Sequence, residues 1–356
     1  MTRATQTLHD LGQSIWLDNI TRTMLDDGTL ARLIDECSVT GLTSNPSIFD
    51  KAIGSGVYDG AIRAAGAGRG AEEVFFDLAL EDLTRAADLF RPIYDRTAGV
   101  DGFVSLEVSP ELAYDAEATV AAAVELHRRA GRPNLFIKIP GTPEGLPAVE
   151  EAIAAGVPVN VTLLFDAAQY EAAAEAYLRG VERRVAAGLD PSVASVASVF
   201  MSRWDRAVAG SVPAELADRL GLAVGGDVYR TYRRIQDEER SQRLLSFGGR
   251  VQRLLWASTS TKDPASPDDL YVRGLAAPGT VNTMPDVTLE AFFDHGTVDG
   301  VLAADGGRCD EELAAFAAAG VDVTALAATL QKEGAAAFVT SWTDLMSHVA
   351  DQLAGA

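Results

Sequence analysis

The sequence contains few residues of the kinds that build disulfide or metal centres. Its 356 residues include two cysteines, Cys37 and Cys309, and four scattered histidines. The cysteines have no CxxC or Cys/His spacing, and two isolated thiols fit a reducing compartment better than a disulfide framework. The histidines form no metal-binding motif. We therefore expect neither a structural disulfide nor a bound metal.

Basic residues and long apolar runs are also scarce. There are 30 Lys and Arg residues against 51 Asp and Glu, which gives a net charge of -21 and argues against nucleic-acid binding through a broad basic face. No apolar run approaches the roughly 18 residues of a membrane span, and the N-terminus lacks the apolar core of a signal peptide. These absences predict a cytoplasmic protein that binds no nucleic acid and no membrane. An anionic substrate would need a local group of cations.

The remaining composition is that of a folded protein with repeated strand and helix units. Hydrophobic residues make up 47% of the chain and charged residues 23%, enough apolar mass for a sizeable core. Short β-branched apolar runs alternate with longer stretches of helical period, including 71–95, 115–131 and 166–188. The eight predicted strands are 14–19, 40–47, 102–109, 134–140, 158–165, 193–201, 253–261 and 279–286. Eight such units predict a (β/α)₈ TIM barrel with extra helices.

Two segments add to the eight repeats. The stretch from about 203 to 250 is twice the length of an ordinary crossover and contains the Arg- and Glu-rich helical run 227–245, so we expect a helical insertion. The tail from about 323 to 356 predicts a closing helix. Without a linker or low-complexity segment, residues 1–356 are expected to form one barrel domain. The amphipathic helices of any barrel can be solvated or paired, so the oligomeric state stays open.

Polar residues recur where the predicted strands end. In a (β/α)₈ barrel this C-terminal end of the strands is where active sites form. Alternate side chains of a strand point to opposite faces, so Asn160 and Thr162 share one face and point inward together. The polar residues at strand ends are Asp18, Asn19, Thr43, Asn45, Glu107, Lys138, Asn160, Thr162, Ser198, Ser258 and Ser260.

Lys138 interrupts the apolar strand "NLFIKIP", where a charge is costly unless it is paired or neutralised. An uncharged lysine amine attacks a ketone and forms an iminium, which withdraws electrons from the adjacent C–C bond. The reaction also needs groups that move protons, and carboxylates such as Asp18 and Glu107 can serve. These residues are candidates for a Schiff-base C–C lyase or transferase.

Each candidate also has a purely structural interpretation. Lys138 fits a structural ion pair, and Asp18 with Asn19 fits the N-cap of a following helix. Asn45 precedes a proline, as an N-cap residue often does. Thr162 fits an ordinary β-branched strand residue. Taken one at a time, these residues leave both interpretations open.

With these residues identified, the sequence resembles the transaldolases over nearly its whole length. A single shared motif would be a weak signal, but eight motifs occur in the family's order at fitting spacings. The long sixth crossover is similar to that of the branch found in actinobacteria. The motifs are "WLDN", "GLTSNPSIF", "VSLEVSP", "FIKIPGTPEG", "VNVTLLF", "SVFMSRWD", "WASTSTK" and "TVNTMPD".

The resemblance implies an activity and a role for each candidate. Transaldolases are cofactor-free (β/α)₈ enzymes of the pentose phosphate pathway that move a dihydroxyacetone unit from sedoheptulose 7-phosphate to glyceraldehyde 3-phosphate. Erythrose 4-phosphate and fructose 6-phosphate are the products. The implied roles are Lys138 as Schiff-base lysine, Asp18 as the acid/base for the C–C bond, Glu107 and Thr162 as holders of the catalytic water, Asn45, Asn160 and Ser198 as ligands of the dihydroxyacetone hydroxyls, and Arg203 as the phosphate ligand.

The sequence departs from the family at a second phosphate-binding position. Many transaldolases have an arginine after strand 7, whereas "WASTSTK" has none. The resemblance then favours Lys262 for that role, with Ser260 as a helper. Arg203 also has a structural alternative, an ion pair with Asp205 or Asp166.

Two other functions compete with a transaldolase. A fructose 6-phosphate aldolase shares the fold and the Schiff base but releases free dihydroxyacetone, and it typically has Gln at the position of Glu107, so the carboxylate favours transaldolase. The second competing function is not enzymatic: a sugar-phosphate sensor that binds its ligand on a barrel scaffold without catalysis. Retention of Lys138, Asp18, Glu107 and Thr162 argues against a sensor, because binding requires no nucleophile.

Overall fold

The fold is a closed barrel of parallel strands surrounded by helices. A computed structural model of the protein describes residues 3–66, 68–261, 263 and 265–355. In these residues eight strands pair in chain order, and β1 closes the ring by pairing with β8. The strands are β1 (Ser14–Leu17), β2 (Val39–Thr43), β3 (Val104–Glu107), β4 (Leu135–Pro140), β5 (Val159–Leu164), β6 (Ser195–Phe200), β7 (Gln252–Ala257) and β8 (Val281–Met284). The predicted (β/α)₈ barrel with extra helices is confirmed.

Helices follow the strands and cover the outside of the barrel. The three helices predicted at 71–95, 115–131 and 166–188 are observed with ends within two residues of those bounds. The helices are α1 (Ala4–Asp10), α2 (Arg22–Asp26), α3 (Thr29–Cys37), α4 (Pro46–Gly54), α5 (Asp59–Ala65), α6 (Ala71–Arg96), α7 (Ala116–Ala130), α8 (Leu146–Ala155), α9 (Ala167–Ala186), α10 (Ser202–Val208), α11 (Leu220–Asp237), α12 (Glu239–Ser246), α13 (Leu270–Gly274), α14 (Asp286–His295), α15 (Cys309–Ala318) and α16 (Val323–Ala354).

The barrel strands are buried on both faces, which is why their sequences are almost continuously apolar. Close packing leaves no room for a side chain at Gly41 on β2. A Cβ there would lie 2.6 Å from the Phe103 carbonyl oxygen and 2.7 Å from the Trp16 ring. Trp16 donates from Nε1 to Asp101 Oδ1 at 2.8 Å, which satisfies its polar edge inside the core.

The helical run predicted at 227–245 is helical and is divided between α11 and α12. Glu238 separates α11 from α12 with an extended backbone at φ -64° and ψ 141°. Beyond this break, Arg240 pairs with Glu175 and Glu182, both on α9. Helical period identifies both segments, and the ion pairs of Arg240 hold the second one against α9.

The C-terminal helix α16 is capped at its N-terminus by Asp322, whose side chain accepts a hydrogen bond from Ala325 N. It packs against α4, α6 and β5, and its residues therefore reach the C-terminal end of the barrel. Within the described part of the chain, no single helix has the length and apolarity to cross a membrane. α15 and α16 pass that test only as a pair, with a 90° bend between them.

Candidate active site

Lys138 lies inside the barrel near the end of β4, with 5% of its surface exposed. Its Nζ is 3.1 Å from the Ser44 carbonyl oxygen and 3.4 Å from Glu107 Oε2. The ring of Phe338 lies 5.7 Å from the same nitrogen. A charge-assisted N–H···O bond is usually about 2.7–2.9 Å long, so the contact with Glu107 is loose. The nitrogen is therefore buried, with its shorter contact to a backbone carbonyl and its longer contact to a carboxylate.

Glu107 stands next to Lys138 in the register of β3 and β4. Burial raises the pKa of this carboxyl to about 7, and the charge of Asp18 adds to the effect, although Lys138 opposes it. Glu107 Oε1 is buried and has no hydrogen-bond partner among the described residues. Near neutral pH the carboxyl can therefore both release and accept a proton.

This raised pKa predicts a pH-dependent effect of Glu107→Gln on stability. Between the ordinary carboxyl pKa of 4.5 and the folded pKa of about 7, the folded parent holds more protons than the unfolded chain, so its stability falls as pH rises. Glutamine carries no such proton. The variant should therefore gain up to about 3 kcal/mol relative to the parent between about pH 5 and pH 8.

Denaturant unfolding of both proteins at the two pH values measures this difference. Glu290→Gln serves as a control, since Glu290 is exposed on the outer helix α14. A constant difference between parent and Glu107→Gln would mean that Glu107 titrates near its ordinary pKa.

Asp18 directly follows β1 and is half-buried. Its Oδ1 accepts a hydrogen bond of 2.7 Å from the Thr43 hydroxyl, and Thr43 is itself 2.7 Å from the Thr283 hydroxyl. The N-cap of the following helix is Thr21, so the alternative that Asp18 or Asn19 caps α2 is wrong. The carboxylate is oriented by a neighbouring strand instead of a helix terminus.

Asn160 and Ser198 form a buried pair that links three strands. The Ser198 hydroxyl donates to Asn160 Oδ1 at 2.7 Å, and Asn160 Nδ2 donates to Ser105 Oγ at 3.1 Å. Thr162, two residues along the same strand, has a buried hydroxyl with no partner among the described residues. Because buried hydroxyls are nearly always hydrogen-bonded, Thr162 Oγ1 is a position where a water or a substrate hydroxyl fits.

Asn45 both caps a helix and borders the site. Its Oδ1 accepts from Ile48 N at 3.1 Å and from the Ser47 hydroxyl at 2.7 Å. The N-cap interpretation is thus confirmed. A substrate contact from Asn45 would use the amide Nδ2, since the cap occupies the oxygen.

Arg203 borders the same cleft as Lys138. Its guanidinium lies 5.2 Å from the Phe200 ring centre and has no hydrogen bond or ion pair in the described part of the chain. Burial lowers the pKa of Arg203, and the neighbouring charge of Arg206 lowers it further, against a weaker opposing effect of Glu333. A half-buried guanidinium under these conditions favours an anionic ligand.

The two carboxylates expected from the sequence as ion-pair partners of Arg203 are engaged elsewhere. Asp205 accepts from Leu220 N, Gly221 N and the Tyr271 hydroxyl, and Asp166 caps α9 through Gln169 N. The ion-pair alternative for Arg203 is therefore wrong.

Most of these side chains surround one cleft with a volume of about 180 Å³. Of the predicted site residues, Glu107 and Asn160 do not line it but contact Lys138 and Ser198, which do. Lys262 lies outside the described residues. The lining residues are Asp18, Thr43, Asn45, Ser47, Lys138, Thr162, Ser198, Phe200, Arg203, Ala257, Ser258, Ser260, Thr283, Pro285 and Phe338. No group of three His, Cys, Asp or Glu in the described ranges could hold a metal ion.

Comparison with known proteins agrees with this geometry. The chain matches the model of a family described as "Transaldolase/Fructose-6-phosphate aldolase" over residues 15–349. The chain belongs to this family. It is 44% identical to a protein named transaldolase from Parafrankia sp. (strain EAN1pec), over 100% of both chains. It is 46% identical to one of the same name from Thermobifida fusca (strain YX), over 98% of each.

The family resemblance did not predict the aromatic walls of the cleft. Phe200 ends β6, and Phe338 comes from α16, some two hundred residues after Lys138. Phe338 lies in the apolar stripe of α16, seven residues before Leu345 and four before Trp342. That spacing predicts a buried helix face, but only the packing of α16 shows that the face borders the lysine.

Proposed function

We propose that this protein is a transaldolase that moves a dihydroxyacetone unit from sedoheptulose 7-phosphate to glyceraldehyde 3-phosphate through a Schiff base on Lys138. The observation that carries the proposal is the buried Lys138, which borders one cleft with the carboxylate of Asp18 and the guanidinium of Arg203. Membership of the family and the names of the full-length relatives support it. A sugar phosphate is the substrate class that such a cleft suits, because it offers a ketone, hydroxyls and a dianion.

In the first step, the uncharged amine of Lys138 attacks the ketone carbon of the donor. An N–C bond forms, and a proton moves from nitrogen to the former carbonyl oxygen to give a carbinolamine. The carbinolamine hydroxyl then leaves as water with a proton from an acid, and the iminium remains. Glu107, with a pKa of about 7, is suited to donate that proton and to accept it back in the final hydrolysis. Thr162 would hold the same water.

In the second step, a C–C bond of the donor breaks. Asp18 removes the proton of the hydroxyl on the carbon that becomes the aldehyde of the product. The bond electrons flow into the iminium, the aldehyde product leaves, and an enamine of dihydroxyacetone stays on Lys138. Addition to the acceptor aldehyde runs the same step backward, and Asp18 returns the proton to the new hydroxyl. The bond from Thr43 would keep the Asp18 carboxylate aimed at this position.

The remaining candidates would bind the parts of the sugar that do not react. We propose that Asn45, Asn160 and Ser198 hold the dihydroxyacetone unit, where Asn160 acts largely by fixing Ser198. Arg203 would bind the phosphate, with Lys262 and Ser260 as further ligands. We also propose a cytoplasmic location, which the two free, buried cysteines Cys37 and Cys309 support.

Arg203→Ala tests the phosphate assignment. A guanidinium forms paired, charge-assisted bonds to phosphate oxygens, so its loss should raise the KM of fructose 6-phosphate at least about tenfold. The KM of unphosphorylated dihydroxyacetone as donor should change little. Arg233→Ala is a matched control, because Arg233 also stacks on an aromatic ring, that of Tyr229, but lies outside the cleft. Equal effects on both donors would show that Arg203 is structural.

A coupled assay tests the activity itself. Fructose 6-phosphate is supplied with and without erythrose 4-phosphate, and glyceraldehyde 3-phosphate is measured. A transaldolase should release it catalytically only with the acceptor. Equal release without acceptor would indicate a fructose 6-phosphate aldolase, and binding without release would indicate a sensor. Either result would refute the proposal.

A further inference from the structure

Gln331, on the C-terminal helix α16, bonds the ends of two barrel strands. Its side-chain Nε2 donates to the Gly141 carbonyl oxygen at 3.0 Å and to the Leu163 carbonyl oxygen at 2.9 Å. The residue is buried, with 8% of its surface exposed. Gly141 directly follows β4 and Leu163 lies in β5, so one side chain joins the strands of Lys138 and Thr162.

The backbone that Gln331 holds at Leu163 is unusual. Leu163 has φ +61°, a left-handed conformation that is unfavourable for a residue with a Cβ atom. The pairing of β5 with β6 shifts register between Val161 and Leu164 at the same place. Strained backbone of this kind persists only where surrounding contacts fix it, and the bond from Gln331 is such a contact.

Thr162 lies inside this group of hydrogen bonds. Gly141 N donates to the Thr162 carbonyl oxygen at 2.7 Å, while Gln331 holds the carbonyl of Gly141 on one side and that of Leu163 on the other. The Thr162 hydroxyl is buried and has no partner within the described ranges. The direction of that hydroxyl is therefore set by backbone that Gln331 fixes.

The rest of the same helix face also reaches the active site. A Cβ at Gly334 would lie 3.0 Å from Leu163 Cδ2 and 3.1 Å from Arg203 Nη1, so a glycine permits the helix to approach both. Phe338 covers Lys138 one turn further on. Positions 331, 334 and 338 share one face of a helix. This close approach places Gln331 within reach of the two carbonyls.

We propose that Gln331 is a positioning residue that acts through Thr162 on the water of Schiff-base formation and hydrolysis. The inference rests on the proposed function, since it assigns the water-handling role to Thr162. Loss of the two bonds should let the left-handed backbone at Leu163 relax and turn the Thr162 hydroxyl away from the water. Small misplacements of catalytic groups are costly to rates.

Gln331→Met removes both donors with little change in volume. In single-turnover trapping with fructose 6-phosphate and borohydride, the rate of adduct formation should fall by about tenfold to a hundredfold. The donor KM should stay within about twofold, because the substrate contacts are unchanged. If the methionine variant does not fold, Gln331→Glu is measured in the same way, since an ionised carboxylate has a similar shape but cannot donate to two carbonyls.

Gln13→Met provides the matched control. Gln13 is also buried and donates from Nε2 to the Leu275 carbonyl oxygen and to Thr280 Oγ1, both at 2.8 Å. It precedes β1, at the end of the barrel opposite the cleft. The control should lose stability as Gln331→Met does, and its adduct should form at the parental rate per folded molecule. Equal slowing in both variants would overturn the inference.

A double variant separates positioning from an independent effect. In Thr162→Val the hydroxyl is already absent, so adding Gln331→Met should slow adduct formation by less than about twofold further. If the two substitutions slow adduct formation in the double variant by the product of their separate effects, the role of Gln331 is refuted. A parental rate in Gln331→Met alone would refute it as well. A parent that fails the coupled assay would refute the proposed function instead, so the two failures are distinguishable.

Discussion

Lys138→Met should form no borohydride-reducible adduct and should lose at least about 10⁴-fold in transfer, a loss typical of removing a covalent nucleophile. No other lysine borders the cleft within the described residues. The fold should survive, because the charge of Lys138 is one of the effects that lower the pKa of Glu107. Without that charge the pKa of Glu107 rises further and the carboxyl stays protonated, so no unpaired carboxylate is buried.

The control for this variant is Lys51→Met, which removes an exposed lysine on α4. It should keep both adduct and transfer at parental levels. Circular dichroism and thermal unfolding establish that Lys138→Met is folded. Substantial transfer by folded Lys138→Met would exclude the Schiff-base mechanism at this residue.

Asp18→Asn should form the adduct at close to the parental rate and lose about 10²- to 10⁴-fold in transfer, the usual contribution of general acid–base catalysis. Asparagine keeps an oxygen that can accept the bond from Thr43, so the side chain should stay in place. What it loses is the capacity to exchange a proton when the C–C bond breaks or forms. Adduct formation and aldehyde exchange are measured separately, by rapid-quench trapping and by the coupled assay.

Asp166→Asn is the matched control, because Asp166 also lies just beyond a strand and Asn serves equally well as an N-cap. It should retain full transfer. An equal loss of adduct formation and transfer in Asp18→Asn would show that Asp18 acts before the C–C step.

The sequence predicted the barrel because the two periodicities of the chain are unambiguous. Runs such as 134–140 are apolar on both faces and end in polar residues, and this pattern follows directly from parallel strands under a layer of helices. Parallel strands all end at one rim, so residues as distant as Asp18 and Ser260 could be expected around one cleft, and both line it.

The parts that were not predicted depend on contacts between distant segments. The link between Thr43 and Asp18 requires the register of β1 and β2, and the loose 3.4 Å contact of Lys138 with Glu107 is a matter of atomic packing. From the sequence alone, Gln331 is only a polar residue in a predicted helix. Its bonds to Gly141 and Leu163 arise only because α16 packs against β5.

The central claim is that a dihydroxyacetone unit is carried on Lys138, and mapping the reduced adduct tests it most directly. The protein is incubated with fructose 6-phosphate, reduced with borohydride and digested, and the peptides are analysed by mass spectrometry. We expect a reduced three-carbon adduct on the peptide that contains Lys138, and its loss when erythrose 4-phosphate is added before the borohydride. An adduct on another lysine, or transfer without any adduct, would contradict the account.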